Sequence, residues 1–404
     1  MSSINVFYFD SKGFSEAYGI GSYRRVLLPE LSKFKKINLT NVRLSYRDKG
    51  GVHYETNQQD SYSILDITFS YKDLQAHLEE EYYTDRLRAR IIVSIIARVT
   101  GISTGIVHLN TPTDYALALS AEEAGYKVIG TQHVPFTADN KVDYFSEENK
   151  RLLLEKERIY LNRLSGMICL CEQTKKKLSD IHPLLHSGLI FNGVRPVTRQ
   201  SEIPKALARK QFGFQTNDVI FLFAGRLVRL KGVYELIEAF TKFSENKNNV
   251  KLIMAGGGDY DGALAKAQQA IGKVIFTGFL DKTKLKSLYE IADVGLLPSY
   301  SEQSSFSALE MMGNGIPLIV SDSAGFEVYQ HGVDVIKAVG DETEIRDLNS
   351  VNIDSLLEAM ELMYQKKSLR RDLSKRSLVL SREKFSATAM AESTKNFYEQ
   401  INQL

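Results

Sequence analysis

An alternation that runs nearly the length of the chain constrains its fold most: short apolar runs, each suited to one buried strand, are separated by stretches of helical periodicity. Short runs without a polar face suit a parallel sheet covered on both sides, and the intervening helices supply the crossovers. The pattern places strands near residues 4–9, 40–46, 62–68, 105–109, 127–131, 166–171 and 188–191, then near 218–224, 250–255, 273–276, 293–297, 316–320 and 334–337. Between the two sets lies RPVTRQSEIPKALARKQFGFQTND, polar and without a long apolar run, the expected interdomain linker. The 404 residues suffice for two domains with separate cores. The expected organisation is a first α/β domain over 1–196, a second over 197–385 and an amphipathic helix over 386–404. No internal repeat is visible.

Composition narrows the functional classes. At 43 % hydrophobic and 25 % charged residues the chain is of the soluble globular type, and a net charge of +2 carries no signature of phosphate-backbone binding, so nucleic acid is not an expected partner. EQTKKKL at 172–178 reads as a solvated helix face. No charged leader with an apolar run is seen, and no apolar stretch reaches the roughly 20 residues that span a bilayer, so the expectation is cytoplasmic. Cys169 and Cys171 lie two apart, too close for a disulfide and too few for a closed zinc site, and read as buried thiols.

In open parallel sheets ligands bind beyond the carboxyl ends of the strands, and two facing sheets would set their loops across one cleft. The segment 293–331, DVGLLPSYSEQSSFSALEMMGNGIPLIVSDSAGFEVYQH, supplies such a loop. Asp293 to Pro298 suits a buried strand; Ser304 to Gly313 reads as a helix ended by Gly313 and Gly315. The N–H groups of Ser304, Ser305 and Phe306 would then form a phosphate site at the helix start. Glu302 and Glu310 flank that site, roughly 12 Å apart by helical rise. Such a pair is commonly a solvated loop acid and a helix-surface charge. Here Glu310 stands between Leu309 and Met311, where a carboxylate is costly without a partner or ligand. A nucleotide-sugar matches: sugar near Glu302, diphosphate at the helix start, ribose near Glu310.

Other strand-end loops bear chemistry. In AGRLVRLKGVYEL, Arg226 follows a strand and Lys231 begins the next helix, a pair of cations suited to a multiply charged anion; Arg229 reads as surface. AGGGDYDG at 255–262 lacks the full dinucleotide spacing, so a nicotinamide cofactor is not expected. Its Asp259 and Asp261 read as turn formers and helix caps rather than metal ligands. In GFSEAYGIGSYRR, Gly19 and Gly21 lie in a loop leading into a helix and permit close approach of a phosphate or sugar. His133 stands directly beyond strand 127–131.

These segments resemble the retaining glycosyltransferases with two Rossmann-like domains, the GT-B type, of the group 1 or family 4 kind. The likeness spans most of the chain and strengthens from about residue 188 onward. Pro298, Ser299, Glu302, Phe306, Glu310, Gly315 and Pro317 match one motif, Gly225-Arg226 with Lys231-Gly232 a second, and Asn192-Gly193-Val194 a third, where Asn192 and Gly193 read as turn residues. Tyr18 replaces the first glycine of the family's Gly-Gly-x-Gly loop, and Gln303-Ser304-Ser305 stands where many members carry glycines.

The resemblance implies metal-independent transfer of a hexose from a nucleotide-diphosphate sugar, a UDP-sugar foremost, to a hydroxyl of a glycan, a lipid-linked glycan or a protein, with no other cofactor. It puts His133 at the transferred sugar beside Glu302. It puts Arg226, Lys231, the helix start at Ser304, Ser305 and Phe306, and the Gly19 and Gly21 backbone on the diphosphate. It also implies front-face attack and a last helix that packs back on the first domain. A non-catalytic partner of the same fold and a nucleotide-sugar epimerase are the alternatives. A retaining hydrolase would need carboxylates about 5 Å apart. In DRLRARIIVSIIARV, Arg86, Arg88, Arg90 and Arg98 flank an apolar face that offers peripheral contact to an anionic membrane, or else packs on its sheet.

Overall fold

The computed structural model describes residues 3–10, 19–47, 51–59, 61–70, 81–136, 146–197, 204–341 and 350–404. The chain divides into two compact units, Met1–Gly193 with Ala387–Leu404, and Val194–Ser386.

The first unit runs β1 (Ile4–Asp10), α1 (Gly19–Leu31), β2 (Ile37–Arg47), β3 (His53–Gln59), β4 (Tyr62–Ser70), α2 (Glu81–Thr100), β5 (Ile106–Leu109), α3 (Tyr115–Glu123), β6 (Lys127–Gln132), α4 (Glu147–Leu161), β7 (Gly166–Cys169), α5 (Glu172–Ile181) and β8 (Ser187–Leu189). Its eight strands lie in the order β3-β4-β2-β1-β5-β6-β7-β8, parallel except for β3, which returns antiparallel on β4 as an exposed edge. Phe7, Phe9, Val107, Leu109 and Val128 point to one face and bury against Ile92, Val93 and Ile96 of α2. That packing settles the character of α2. Its apolar face is committed to the core, Arg86 pairs with Glu123 at 3.1 Å, and Arg88 pairs with Asp85, so this face is not a membrane surface.

The opposite face of the sheet receives the C-terminal helix (Ala387–Gln403), which also packs on α1. Ala387, Met390, Ala391, Thr394, Phe397, Tyr398 and Ile401 recur at helical spacing and are buried. Two glycines make room for them. A Cβ on Gly166 would come within 2.5 Å of Ile401 Cδ1, and one on Gly188 within 2.8 Å of the Phe397 ring.

The second unit runs α6 (Lys205–Gln211), β9 (Val219–Ala224), α7 (Val233–Ser244), β10 (Val250–Ala255), α8 (Tyr260–Ala267), β11 (Val274–Gly278), α9 (Lys282–Ile291), β12 (Val294–Leu297), α10 (Phe306–Gly313), β13 (Leu318–Ser321), β14 (Ile336–Ala338), α11 (Ile353–Gln365) and α12 (Lys367–Glu383). Its six parallel strands take the order β11-β10-β9-β12-β13-β14. The order reverses between β9 and β12, so the two strands pair directly while their following segments leave to opposite sides; ligands of such sheets bind at that point. Phe221, Phe240, Phe243 and Leu252 centre the core.

α6 lies inside the segment expected to be a polar linker. Its Arg209 is buried because its donors are satisfied by the carbonyl oxygens of Ile291 and Asp218 and by the Asp293 carboxylate. A polar sequence can thus be interior where carbonyls surround the guanidinium.

Candidate functional site

The candidate site grows from the two segments that leave the reversal point. Beyond β9 the ladder continues: Gly225 N–H donates to Ala255 O at 2.9 Å, Leu227 N–H to Gly257 O at 2.8 Å, and Asp259 N–H to Leu227 O at 2.8 Å. Gly256 and Gly258, both at φ 147°, permit this. A Cβ at Gly256 would lie 1.8 Å from Gly225 O, and one at Gly258 2.3 Å from Leu227 O. The close approach these glycines allow is to the neighbouring backbone. Asp259 caps α8, accepting from Gly262 N–H at 3.0 Å and from the Tyr234 hydroxyl, and those bonds hold its carboxyl below the usual range. Among the described residues no group of three His, Cys, Asp or Glu is placed to hold a metal.

Lys231 ends a tight turn, Arg229–Lys231, rather than beginning α7; Gly232 in the left-handed conformation separates it from the helix. The correction follows from the backbone of Pro298, whose carbonyl passes so close to Gly232 that a Cβ there would lie 2.0 Å away. Tyr300 N–H donates to Leu230 O at 2.9 Å, so the segments after β9 and β12 are tied together. Lys231 then forms an ion pair with Glu302, their side chains 21 % and 12 % exposed. Ser299 donates its hydroxyl to the same carboxylate oxygen at 3.0 Å. Arg226 is exposed, and among the described residues its side chain makes no ion pair.

The Glu302 backbone is held from a third segment that sequence reasoning did not single out. Ser321 at the end of β13 donates to Ser299 O at 2.5 Å, and Gly325 N–H donates to Glu302 O at 2.9 Å. Gly325 has no room for a side chain, since a Cβ would meet the carbonyl carbons of Glu302 and Gln303 at 2.8 Å. The small residues of SDSAG after β13 are the only trace of this in the sequence.

α10 begins at Phe306, two residues later than expected, because the Ser305 side chain caps it by accepting from Ala308 N–H at 3.4 Å. Ser304 and Ser305 therefore precede the helix, and Phe306 and Ser307 contribute its first N–H groups. Glu310 does have a partner within the protein: the buried Tyr289 hydroxyl of α9 donates to it at 3.0 Å. Burial, then the Glu310 charge, pushes the Tyr289 phenol well above its ordinary pKa, so it remains a donor. Tyr289→Phe is expected to keep the fold at a cost of about 1–2 kcal/mol, read in urea denaturation. A change within experimental error would mean that the bond contributes nothing.

In the first unit Gly19 and Gly21 lie in the first turn of α1, not in a loop, and Tyr18 falls outside the described residues. His133 is half-buried just past β6. Its Nε2 lies 3.0 Å from Asn110 Oδ1, and the Tyr23 ring of α1 meets its ring edge-on at 4.8 Å. Beneath it is a polar network that the apolar run IVHL concealed. His108 is buried, with Nδ1 2.6 Å from the Tyr398 hydroxyl and Nε2 2.6 Å from Thr131 Oγ1. Burial, then the His133 charge, pushes His108 down to about 3, so it is neutral. Cys169 and Cys171 are both buried and free. Burial pushes the Cys169 thiol up to about 12.

Comparison with known proteins agrees with this geometry. Residues 204–377 match the family described as glycosyl transferases group 1. An uncharacterized glycosyltransferase of Methanocaldococcus jannaschii is 37 % identical over 155 residues, which are 37 % of this chain and 40 % of that protein. Sucrose-phosphate synthase from Thermosynechococcus elongatus superposes with a TM-score of 0.74 at 18 % identity, over 99 % of both chains. A UDP-forming α,α-trehalose-phosphate synthase from Burkholderia xenovorans does so with a TM-score of 0.72 at 12 % identity, over 99 % of this chain and 100 % of that one. The chain's matches to its first curated relatives span 40 % to 63 % of their lengths.

The fold is that of the GT-B glycosyltransferases, with two Rossmann-like domains. Within that class the chain is of the group 1 type and carries the group 1 domain over residues 204–377. Among the described residues no helix is long and apolar enough to cross a membrane.

Proposed function

We propose that the chain transfers a hexose, with retention, from a nucleotide-diphosphate sugar to a hydroxyl acceptor, and that it does so without a metal. The observation that carries this is the cluster at the strand-order reversal: Lys231 paired with Glu302, beside the start of α10. As the bond from sugar to phosphate breaks, negative charge grows on the diphosphate and positive charge on the ring. Lys231 has three N–H donors and spends one on Glu302, leaving two for phosphate oxygens. Arg226 and the N–H groups at the start of α10 add to the same field, which is electrostatic stabilisation of the leaving group. These groups do what a divalent cation would otherwise do. Glu302, fixed by Ser299 and by the Gly325 contact to its backbone, orients the sugar hydroxyls. Glu310 takes the ribose hydroxyls, and the Gly19 and Gly21 turn adds backbone N–H groups toward phosphate. His133 hydrogen-bonds the transferred sugar. A UDP-sugar is the favoured donor, since the Burkholderia enzyme of like fold is UDP-forming.

The test is a thermal-shift titration of the purified chain with UDP, GDP and their sugar conjugates, in chelator and then in magnesium. Stabilisation by a UDP-sugar in chelator is expected, and no shift with any nucleotide would overturn the reading in favour of a non-catalytic partner. Glu310→Ala is expected to weaken free UDP about 10- to 100-fold, the worth of charge-assisted bonds to two hydroxyls. Unchanged UDP affinity in calorimetry would remove Glu310 from the ribose.

A further inference from the structure

Asn110 fixes more than the place of His133. Its Nδ2 donates to Phe9 O at 2.7 Å, which settles which end of the amide is which. Its Oδ1 is left to accept, and two groups reach it: the Tyr8 hydroxyl at 3.1 Å and His133 Nε2 at 3.0 Å. An amide oxygen has no proton to give, so the bond to His133 exists only if Nε2 carries the hydrogen. Asn110 is 3 % exposed, and its amide is held between β1 and the turn after β6, so water does not compete for that oxygen. The Tyr23 ring edge at 4.8 Å restrains the imidazole on a further side.

We propose that Asn110 is a positioning residue that locks His133 into the Nε2–H tautomer, so that the neutral ring offers Nδ1 as a hydrogen-bond acceptor only. Resting on the transferase reading above, this narrows the donor: the sugar group that His133 engages must bring its own hydrogen, as a hydroxyl or an amide N–H does. A carboxylate at that position would meet a lone pair. Tyr8 supports the lock from below without being part of it, since it shares the acceptor and leaves Nε2–H in place.

The deciding experiment is the long-range proton–nitrogen spectrum of the full-length chain labelled with nitrogen-15 in histidine, at neutral pH and without nucleotide, with His133 assigned by its absence in His133→Gln. A protonated Nε2 and an unprotonated Nδ1 are expected. The opposite tautomer, or averaged signals for the two nitrogens, overturns the proposal, whether or not any nucleotide-sugar binds. Asn110→Leu is expected to release the tautomer into exchange and to lower kcat/KM about 10- to 100-fold. Tyr8→Phe, which disturbs the same network but spares the acceptor, is expected to leave the tautomer as in the parent. An Asn110→Leu spectrum identical to the parent's overturns the role of Asn110. Should Asn110→Leu fail to fold, the parent spectrum still decides.

Discussion

Lys231→Ala is expected to lower kcat about 100- to 1,000-fold, the usual effect of deleting one group aimed at charge that develops in the transition state. The ammonium is also one half of an ion pair, so the change is not free of structural cost. Glu302 would keep only the Ser299 hydroxyl, in a setting where its side chain is 12 % exposed. Removing one partner of a fully buried pair costs about 3–5 kcal/mol, and this half-open pair should lose about 1–3 kcal/mol. The two effects separate in a double variant. Lys231→Ala with Glu302→Gln removes the orphaned charge and should regain most of the melting temperature, while turnover stays low. If turnover returned with stability, Lys231 would be a structural partner of Glu302 and the diphosphate assignment would fall.

Gly232→Ala should be among the most damaging single-methyl changes in the second unit, at about 3 kcal/mol. Gly232 sits at φ 64°, which alone costs an L-residue about 1 kcal/mol. The added Cβ would also stand 2.0 Å from Pro298 O and 3.0 Å from its carbonyl carbon, backbone atoms that cannot turn aside. Relief requires the segment bearing Ser299 and Glu302 to move away from Lys231. Gly213 is the control, because it has φ 76° and nothing within 4 Å of its would-be Cβ. Gly213→Ala should therefore show only the conformational cost, about 1 kcal/mol. Equal urea midpoints for the two variants would mean that the Pro298 approach relaxes at no cost.

The strand-and-helix alternation carried the fold because buried parallel strands must be apolar on both faces, and that leaves a mark on every strand. β3 left no such mark: it is an exposed edge, and its residues HYETNQQ are those of a solvated surface. Glu302 and Lys231 were each legible from their loops. Their pairing was not, because the two are 71 positions apart and nothing local to either encodes the other. The three glycines at 256–258 announced a close approach, but a glycine does not say what approaches; here it is the strand-end backbone at 225–227. His108 was hidden for a different reason. A buried histidine satisfied by two hydroxyls sits in an apolar run with no local signal, and one of those hydroxyls, Tyr398, comes from 290 positions away. The start of α10 slipped by two residues because serine serves equally as first helical residue and as cap.

The C-terminal helix bears on how the chain is made. A ribosome releases the strands of the first unit before any of the second, yet the surface around Gly166 and Gly188 stays uncovered, and His108 Nδ1 lacks its tyrosine, until residues 387–404 emerge. The earliest part of the protein to be synthesised is therefore the last to be finished, and throughout that interval an apolar sheet face is open to chaperones or to a neighbouring nascent chain.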